Sequence, residues 1–157
     1  MIGIDIICVG KLKEKFFSDA VKEYEKRLSG YCKLNVAELT ETVVSSPSEI
    51  AAALSKEGEK ILSKIPNGAY VVAMCIEGDG LSSEELSKKM SSLKVTGTSK
   101  IVFIIGGSNG LSDEVKARAN LRLSMSKMTF PHHLARVMVL EQIYRAFKIE
   151  EGSGYHK

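Results

Sequence analysis

Residues 101–110 read Ile-Val-Phe-Ile-Ile-Gly-Gly-Ser-Asn-Gly, five apolar residues that run straight into a glycine-rich turn. The run is continuous rather than alternating, which predicts a strand covered on both faces, as in a parallel sheet. Upstream, Ala69–Ile76 (AYVVAMCI) has the same character, and Ile2–Val9, closed by Gly10, predicts a third buried strand. Cys32–Leu39 sets Leu34, Val36 and Leu39 among polar residues and reads as another strand. Leu121–Met125 is a candidate for the last one.

Helical spacing fills the gaps. Glu14–Leu28 places Phe16, Phe17, Ala20, Val21, Tyr24 and Leu28 on helical turns, with Ser29-Gly30 as the stop. Ser48 begins a helix with Ile50, Ala53, Leu54, Ile61 and Leu62 on one side, ahead of the turn Pro66-Asn67-Gly68. Both Leu81–Leu86 and Ser112-Asp113-Glu114 offer a serine cap followed by acids, which suits a helix N-terminus. His132–Ile149, opened by Pro131, is the strongest helix and is apolar over much of its circumference. Strand and helix alternate throughout, so the expected fold is α/β: a parallel sheet with helices on both faces. The last helix has more apolar sides than one sheet covers, which points to a homodimer interface. Thr40–Pro47 is polar and is the one flexible connection expected in the first half.

The chain has 157 residues, and single domains usually take about 100–200. Its 44% hydrophobic and 26% charged residues exclude disorder and fibrous repeats. Cys8, Cys32 and Cys75 are odd in number and far apart. They predict neither a disulfide framework nor a metal site, and read as reduced cytoplasmic thiols. No apolar run approaches the ~20 residues of a membrane helix. The N-terminus MIGIDIICVGKLKEK puts its apolar stretch before its basic one, the reverse of a secretory signal. A soluble cytoplasmic domain with no membrane partner is expected.

Charge is unevenly spread. Residues 34–93 hold nine acids against five bases, whereas residues 116–148 hold seven bases against Glu141 alone. Such a run is commonly a solvated helix face. With one acid against seven bases, the alternative is a patch that tracks phosphates. Lys11, Lys13 and Lys15 form a second basic cluster after the first strand.

Three segments are candidates for chemistry. The turn Gly106-Gly107-Ser108-Asn109-Gly110 lies at the carboxyl end of a strand, where open α/β sheets bind ligands. It has neither dinucleotide-binding nor P-loop spacing, so it is a structural turn or a binding loop of another kind. Ser124–His133 mixes apolar and small polar residues without a period, as a buried loop or a ligand wall does. His132 and His133 read, taken alone, as surface or packing histidines; their place at a helix N-terminus disfavours protonation and favours anions. The third segment is the tail Glu150–Lys157. It reads as a frayed end, or as a strap carrying Tyr155 to stack, His156 to exchange a proton and Lys157 to meet a phosphate. In the second case it orders only when substrate arrives. No metal spacing, nucleophile elbow or Cys–His pairing is present.

Val9-Gly10-Lys11-Leu12-Lys13, Glu23–Leu28 (EYEKRL), Phe103–Leu111 (FIIGGSNGL), Ser126–His132 (SKMTFPH), Arg136, Glu141–Ala146 (EQIYRA) and Tyr155-His156-Lys157 stand in order along the chain. Together they resemble the RlmH family, the bacterial large-subunit ribosomal RNA methyltransferases of the SPOUT superfamily. The likeness runs from the first strand to the last residue.

This resemblance implies one SPOUT methyltransferase domain over 1–157, with residues of about 69–157 threaded into a deep trefoil knot and two copies forming a homodimer. Nothing in the periodicity indicates a knot. S-adenosyl-L-methionine is the implied cofactor, held by Met74, by Ile105, Gly106 and Gly107, and by Met125, Ser126, Lys127, Met128, Thr129 and Phe130. The implied reaction is methylation of N3 of pseudouridine 1915 in helix 69 of 23S rRNA on the assembled ribosome. His132, Arg136, Tyr155 and His156 are the catalytic candidates, with Arg136 expected to orient a base or phosphate because arginine stays charged. Lys11, Lys13, Arg118, Arg122, Arg145 and Lys157 are the RNA-binding candidates. No metal is implied. The chain departs from the family at Met74-Cys75, usually leucine then an acid, and at Asp79, often lysine. Two other readings stand beside this one: a ribosome-binding protein without catalysis, and a SPOUT methyltransferase acting on another RNA base.

Overall fold

The computed structural model describes all 157 residues. Its strands are β1 (Gly3–Val9), β2 (Lys33–Leu39), β3 (Tyr70–Gly80), β4 (Lys100–Ile105) and β5 (Leu121–Ser124). They form one five-stranded sheet in the order β2-β1-β4-β3-β5, and every neighbouring pair is parallel. Parallel neighbours need crossovers. Helices α1 (Lys15–Leu28), α2 (Ile50–Lys64), α3 (Ser83–Val95), α4 (Asp113–Arg118) and α5 (His132–Glu150) supply them.

Alternate residues of each strand face opposite layers. Ile4, Ile6 and Cys8 of β1, with Ile101, Phe103 and Ile105 of β4, pack under α1, α3 and α5. Ile7, Val9, Val102 and Ile104 pack on the other side with Ile61 of α2 and Val115 of α4. Both faces are covered, which is why the central runs are apolar without alternation. Each fully buried aliphatic side chain here contributes about 1.5–3 kcal/mol. No helix is long and apolar enough to cross a membrane.

One expectation changes. Strand β3 continues past Ile76 to Gly80, because after a bulge its last residues pair again with β5, Met74 and Asp79 both opposing Leu123. Gly78 permits this: a Cβ there would fall 2.8 Å from the backbone of Arg122. Helix α5 packs between α1 and α3 with Val139, Leu140, Ile143, Ala146 and Phe147 buried, while Leu134, Val137, Met138 and Tyr144 stay half-buried.

Candidate functional site

At the carboxyl ends of β3 and β5 the chain leaves a cleft of about 300 Å³. Met74, Leu81, Leu86, Phe103, Leu123, Met125, Met138 and Val139 make its apolar walls, and Ser82, Ser83, Ser124 and Gln142 its polar groups. Its rim at α3 is rigid because Ser82 and Glu85 form a reciprocal capping box, each side chain accepting the other's backbone N–H. Ser83 Oγ donates to Gln142 Oε1 at 2.6 Å and ties that rim to α5. No charged side chain lines the cleft.

Of the residues expected to hold a cofactor, Met74 and Met125 line this cleft. Ile105 is buried in the core beneath it. Gly106 and Gly107 form a tight turn, closed by a bridge from Gly107 to Gly110. A Cβ on Gly106 would lie 2.5 Å from the Gly110 carbonyl oxygen, so only glycine fits there. Ser126 accepts from the Met128 N–H and its carbonyl accepts from Ser124, which turns the chain outward. Lys127, Met128 and Thr129 are exposed and Phe130 half-buried.

A second cluster gathers where β1, β2 and β4 end against the start of α5. Arg136 is 1% exposed; it pairs with Glu38 through Nη1 and donates through Nη2 to the Gly10 carbonyl at 2.9 Å. The guanidinium expected to orient a base or phosphate is thus engaged within the chain, as a strut between β1, β2 and α5. Burial works against the Glu38 carboxylate. The Arg136 and Leu12 hydrogen bonds outweigh it and hold the pKa below its ordinary value. Cys8 lies in the same core, and burial pushes its thiol up to about 12, leaving it inert.

His132 is half-buried at the head of α5, edge-on to His133 with ring centroids 4.2 Å apart. Burial lowers its pKa, and His133 and Arg136 push the same way; Glu41 alone opposes them. Glu41 Oε2 lies 4.0 Å from His132 Nε2, while Glu41 Oε1 accepts the Ser108 N–H at 2.7 Å. The connection Thr40–Pro47, expected to be flexible, is thus pinned: Glu41 holds it to Ser108, and the Thr42 N–H donates to Glu57.

The tail also departs from expectation, because it folds onto its own chain. Gly152, at φ +75°, ends α5, and the chain doubles back. Tyr155 OH donates to Glu141 Oε2 at 2.7 Å, joined there by Tyr24 OH at 3.0 Å. His156 bridges Arg145, 3.1 Å from Nδ1, and Glu84, 2.5 Å from Nε2. Glu141 and its ion pair with Arg145 hold this arrangement together. The spacing of Glu141 to Arg145, one helical turn, was the one sequence signal of that pair.

The basic run is largely engaged. Lys116 pairs with Glu77, Arg136 with Glu38, Arg145 with Glu141 and Lys148 with Glu151. Arg118 donates to Ala69 O just before the amino end of β3, and Arg122 to Lys116 O. Most of the missing acids come from elsewhere in the chain, so the run is not one free phosphate-tracking face. Lys11, Lys13 and Lys157 are exposed, the first two just beyond the carboxyl end of β1. No three His, Cys, Asp or Glu side chains converge as a metal site.

Comparison with known proteins adds the following. The family described as "Predicted SPOUT methyltransferase" matches residues 2–156. A protein of Clostridioides difficile (strain 630) named ribosomal RNA large subunit methyltransferase H is 53% identical over 99% of this chain and 100% of its own length. Its namesake in Clostridium acetobutylicum is 55% identical over the same shares, and that of Bifidobacterium animalis subsp. lactis 50%. Among solved structures, a probable methylase family protein from Haemophilus influenzae Rd KW20 matches with a TM-score of 0.60 at 15% identity. That match covers 99% of this chain and 71% of the other, and bears on the fold alone.

Proposed function

The chain belongs to the SPOUT methyltransferase family, within its ribosomal RNA large subunit methyltransferase H group, and from that premise we propose that it methylates 23S rRNA. In the finer reading the target is N3 of pseudouridine 1915 in helix 69 on the assembled ribosome, the donor S-adenosyl-L-methionine, and the compartment the cytoplasm. A homodimer with a C-terminal trefoil knot over about 69–157 belongs to the same proposal, as does a single domain spanning the chain.

The observation that carries this reading is the cleft. Its walls are apolar, its polar groups are hydroxyls and one amide, and no cation faces it. Such a lining suits an adenosine, and it does not repel a positively charged sulfonium. Met74, Phe103, Leu123, Met125 and Gln142 would hold the cofactor there, with the turns at Gly106-Gly107 and Ser126–Phe130 as flanking loops. When bound, S-adenosyl-L-methionine supplies an electrophilic methyl group. The protein's own task is alignment of nucleophile and methyl, together with removal of the N3 proton. His132 is the acceptor this reading favours, since burial lowers its pKa and so favours the neutral imidazole. Tyr155 and His156 complete the site from the tail. Lys11, Lys13, Arg122, Arg145 and Lys157 contact RNA phosphates, and Arg118 does so from the amino end of β3.

Mass spectrometry of helix 69 from ribosomes incubated with the protein and S-adenosyl-L-methionine tests the proposal. Ribosomes lacking the pseudouridine serve as control. One added methyl on the pseudouridine, absent from the control, is expected. No added methyl, with ribosome binding intact, would leave a non-catalytic binder instead. Methyl on a different base would reassign the substrate.

A further inference from the structure

Glu41 sits two residues beyond β2, in a stretch with no regular structure, yet its carboxylate is held from two sides. Oε1 accepts the Ser108 N–H at 2.7 Å, and a Cβ on Gly107 would lie 2.5 Å from the same oxygen. Glycine at 107 therefore leaves the room that the carboxylate fills. Oε2 faces His132 Nε2 at 4.0 Å, which is ion-pair range but longer than a hydrogen bond. Gly10 lies against the same nitrogen, where a Cβ would fall 3.1 Å from His132 Nε2. Three strand ends thus converge on one imidazole.

We propose that Glu41 is a positioning residue for His132, its carboxylate standing beside Nε2 to stabilise the imidazolium formed when Nδ1 accepts the N3 proton of the substrate base. The role rests on the methyl transfer proposed above. Charges around the ring make the carboxylate necessary. His133, the Arg136 guanidinium and the amino end of α5 all disfavour a positive His132, as burial does, while Glu14 is turned to His133. Glu41 is the group that favours it.

In the balanced step the N3–H bond breaks and its proton goes to Nδ1. The N3 electron pair forms the bond to the methyl carbon, the carbon–sulfur bond breaks, and its electrons return to sulfur as a neutral thioether. One positive charge thereby moves from the sulfonium to the imidazolium. A carboxylate beside the ring stabilises the state that gains it.

The test compares the full wild-type chain with Glu41→Gln, whose amide oxygen can still accept the Ser108 N–H. His132 is titrated by NMR without cofactor, and methylation of ribosomes is followed against pH. The expected results are a His132 titration at lower pH in the variant and a kcat reduced by about tenfold or more. The ribosome KM should be unchanged, and the acid limb of the rate profile should move to lower pH. A purely structural loss would lower the melting temperature and move that limb to higher pH, which overturns the role. An unchanged titration, or an unchanged kcat, overturns it as well. Should the wild type fail to methylate helix 69, the proton-transfer role falls with the proposed function, and the titration then reports only whether the two side chains are coupled.

Discussion

Arg136 and Glu38 form an ion pair that is buried from one side only: the Arg136 side chain is 1% exposed, the Glu38 side chain 34%. The arginine also donates to Gly10 O, so one guanidinium fastens α5 to the ends of β1 and β2. Its Nε has no partner. Truncation at this position leaves a cavity, an unpaired carbonyl and a carboxylate without its cation. Arg136→Ala is expected to cost about 2–4 kcal/mol in urea unfolding, with an unchanged slope. A loss under about 1 kcal/mol would mean that the strut is replaceable by water.

Acid should weaken the fold in two stages. His132 has its pKa lowered in the folded chain from an ordinary 6.5, so its neutral form is favoured by folding. That contribution is complete above 6.5 and is lost as pH falls through the lower folded value. Glu38 is held below its ordinary 4.5. Its contribution is complete above 4.5 and disappears as pH falls through its folded value. Unfolding free energy measured from pH 8 to 3 should decline below about 6.5 and again below about 4.5. His132→Asn should flatten the first decline and Glu38→Gln the second. A curve that Glu38→Gln leaves unchanged would exclude this assignment.

Sequence periodicity reaches the sheet and stops at the pairings. The runs at Ile2, Ala69 and Ile101 mark central strands because both their faces are covered. Nothing in them says that β4 lies between β1 and β3. The second half of β3 was illegible for a local reason: Glu77-Gly78-Asp79-Gly80 has the chemistry of a turn. There Gly78 instead lets two backbones touch. At the site, Met74 and Met125 were legible only as positions that the resemblance maps, Met74 itself departing from the family pattern, and both line the cleft. Arg136 was not, since a buried arginine and an exposed one have the same sequence signature. Glu41 gave no signal at all, because its partners Ser108 and His132 are distant in the chain and meet only through the crossovers.

The docked tail leads to a separate expectation. Tyr155 and His156 are held by Glu141, Arg145 and Glu84 of the same chain. Deleting Tyr155–Lys157 removes none of the residues lining the cleft. The truncated protein should bind S-adenosyl-L-methionine and dimerise like the full chain, and should not methylate ribosomes. Turnover at the wild-type rate would remove the tail from the site. Tyr155→Phe, which loses only the bond to Glu141, should expose the C-terminus to carboxypeptidase sooner than in the wild type.

The cleft itself can be tested by filling it. Met138 is half-buried on α5 and lines the cavity without belonging to the buried core of the sheet. In Met138→Trp the indole has about 300 Å³ to enter, and filling a cavity commonly stabilises by about 0.5–2 kcal/mol. The chain contains no other tryptophan, so its emission reports directly whether the ring is buried. A blue-shifted emission, an unchanged or raised melting temperature and no calorimetric heat with S-adenosyl-L-methionine are expected together. Normal cofactor binding beside a buried indole would place the donor outside the cleft, among the loops at Gly106 and Ser126–Phe130. Red-shifted emission with normal binding would show that the ring had stayed in water, and Leu123→Phe would then fill the cleft from the strand side.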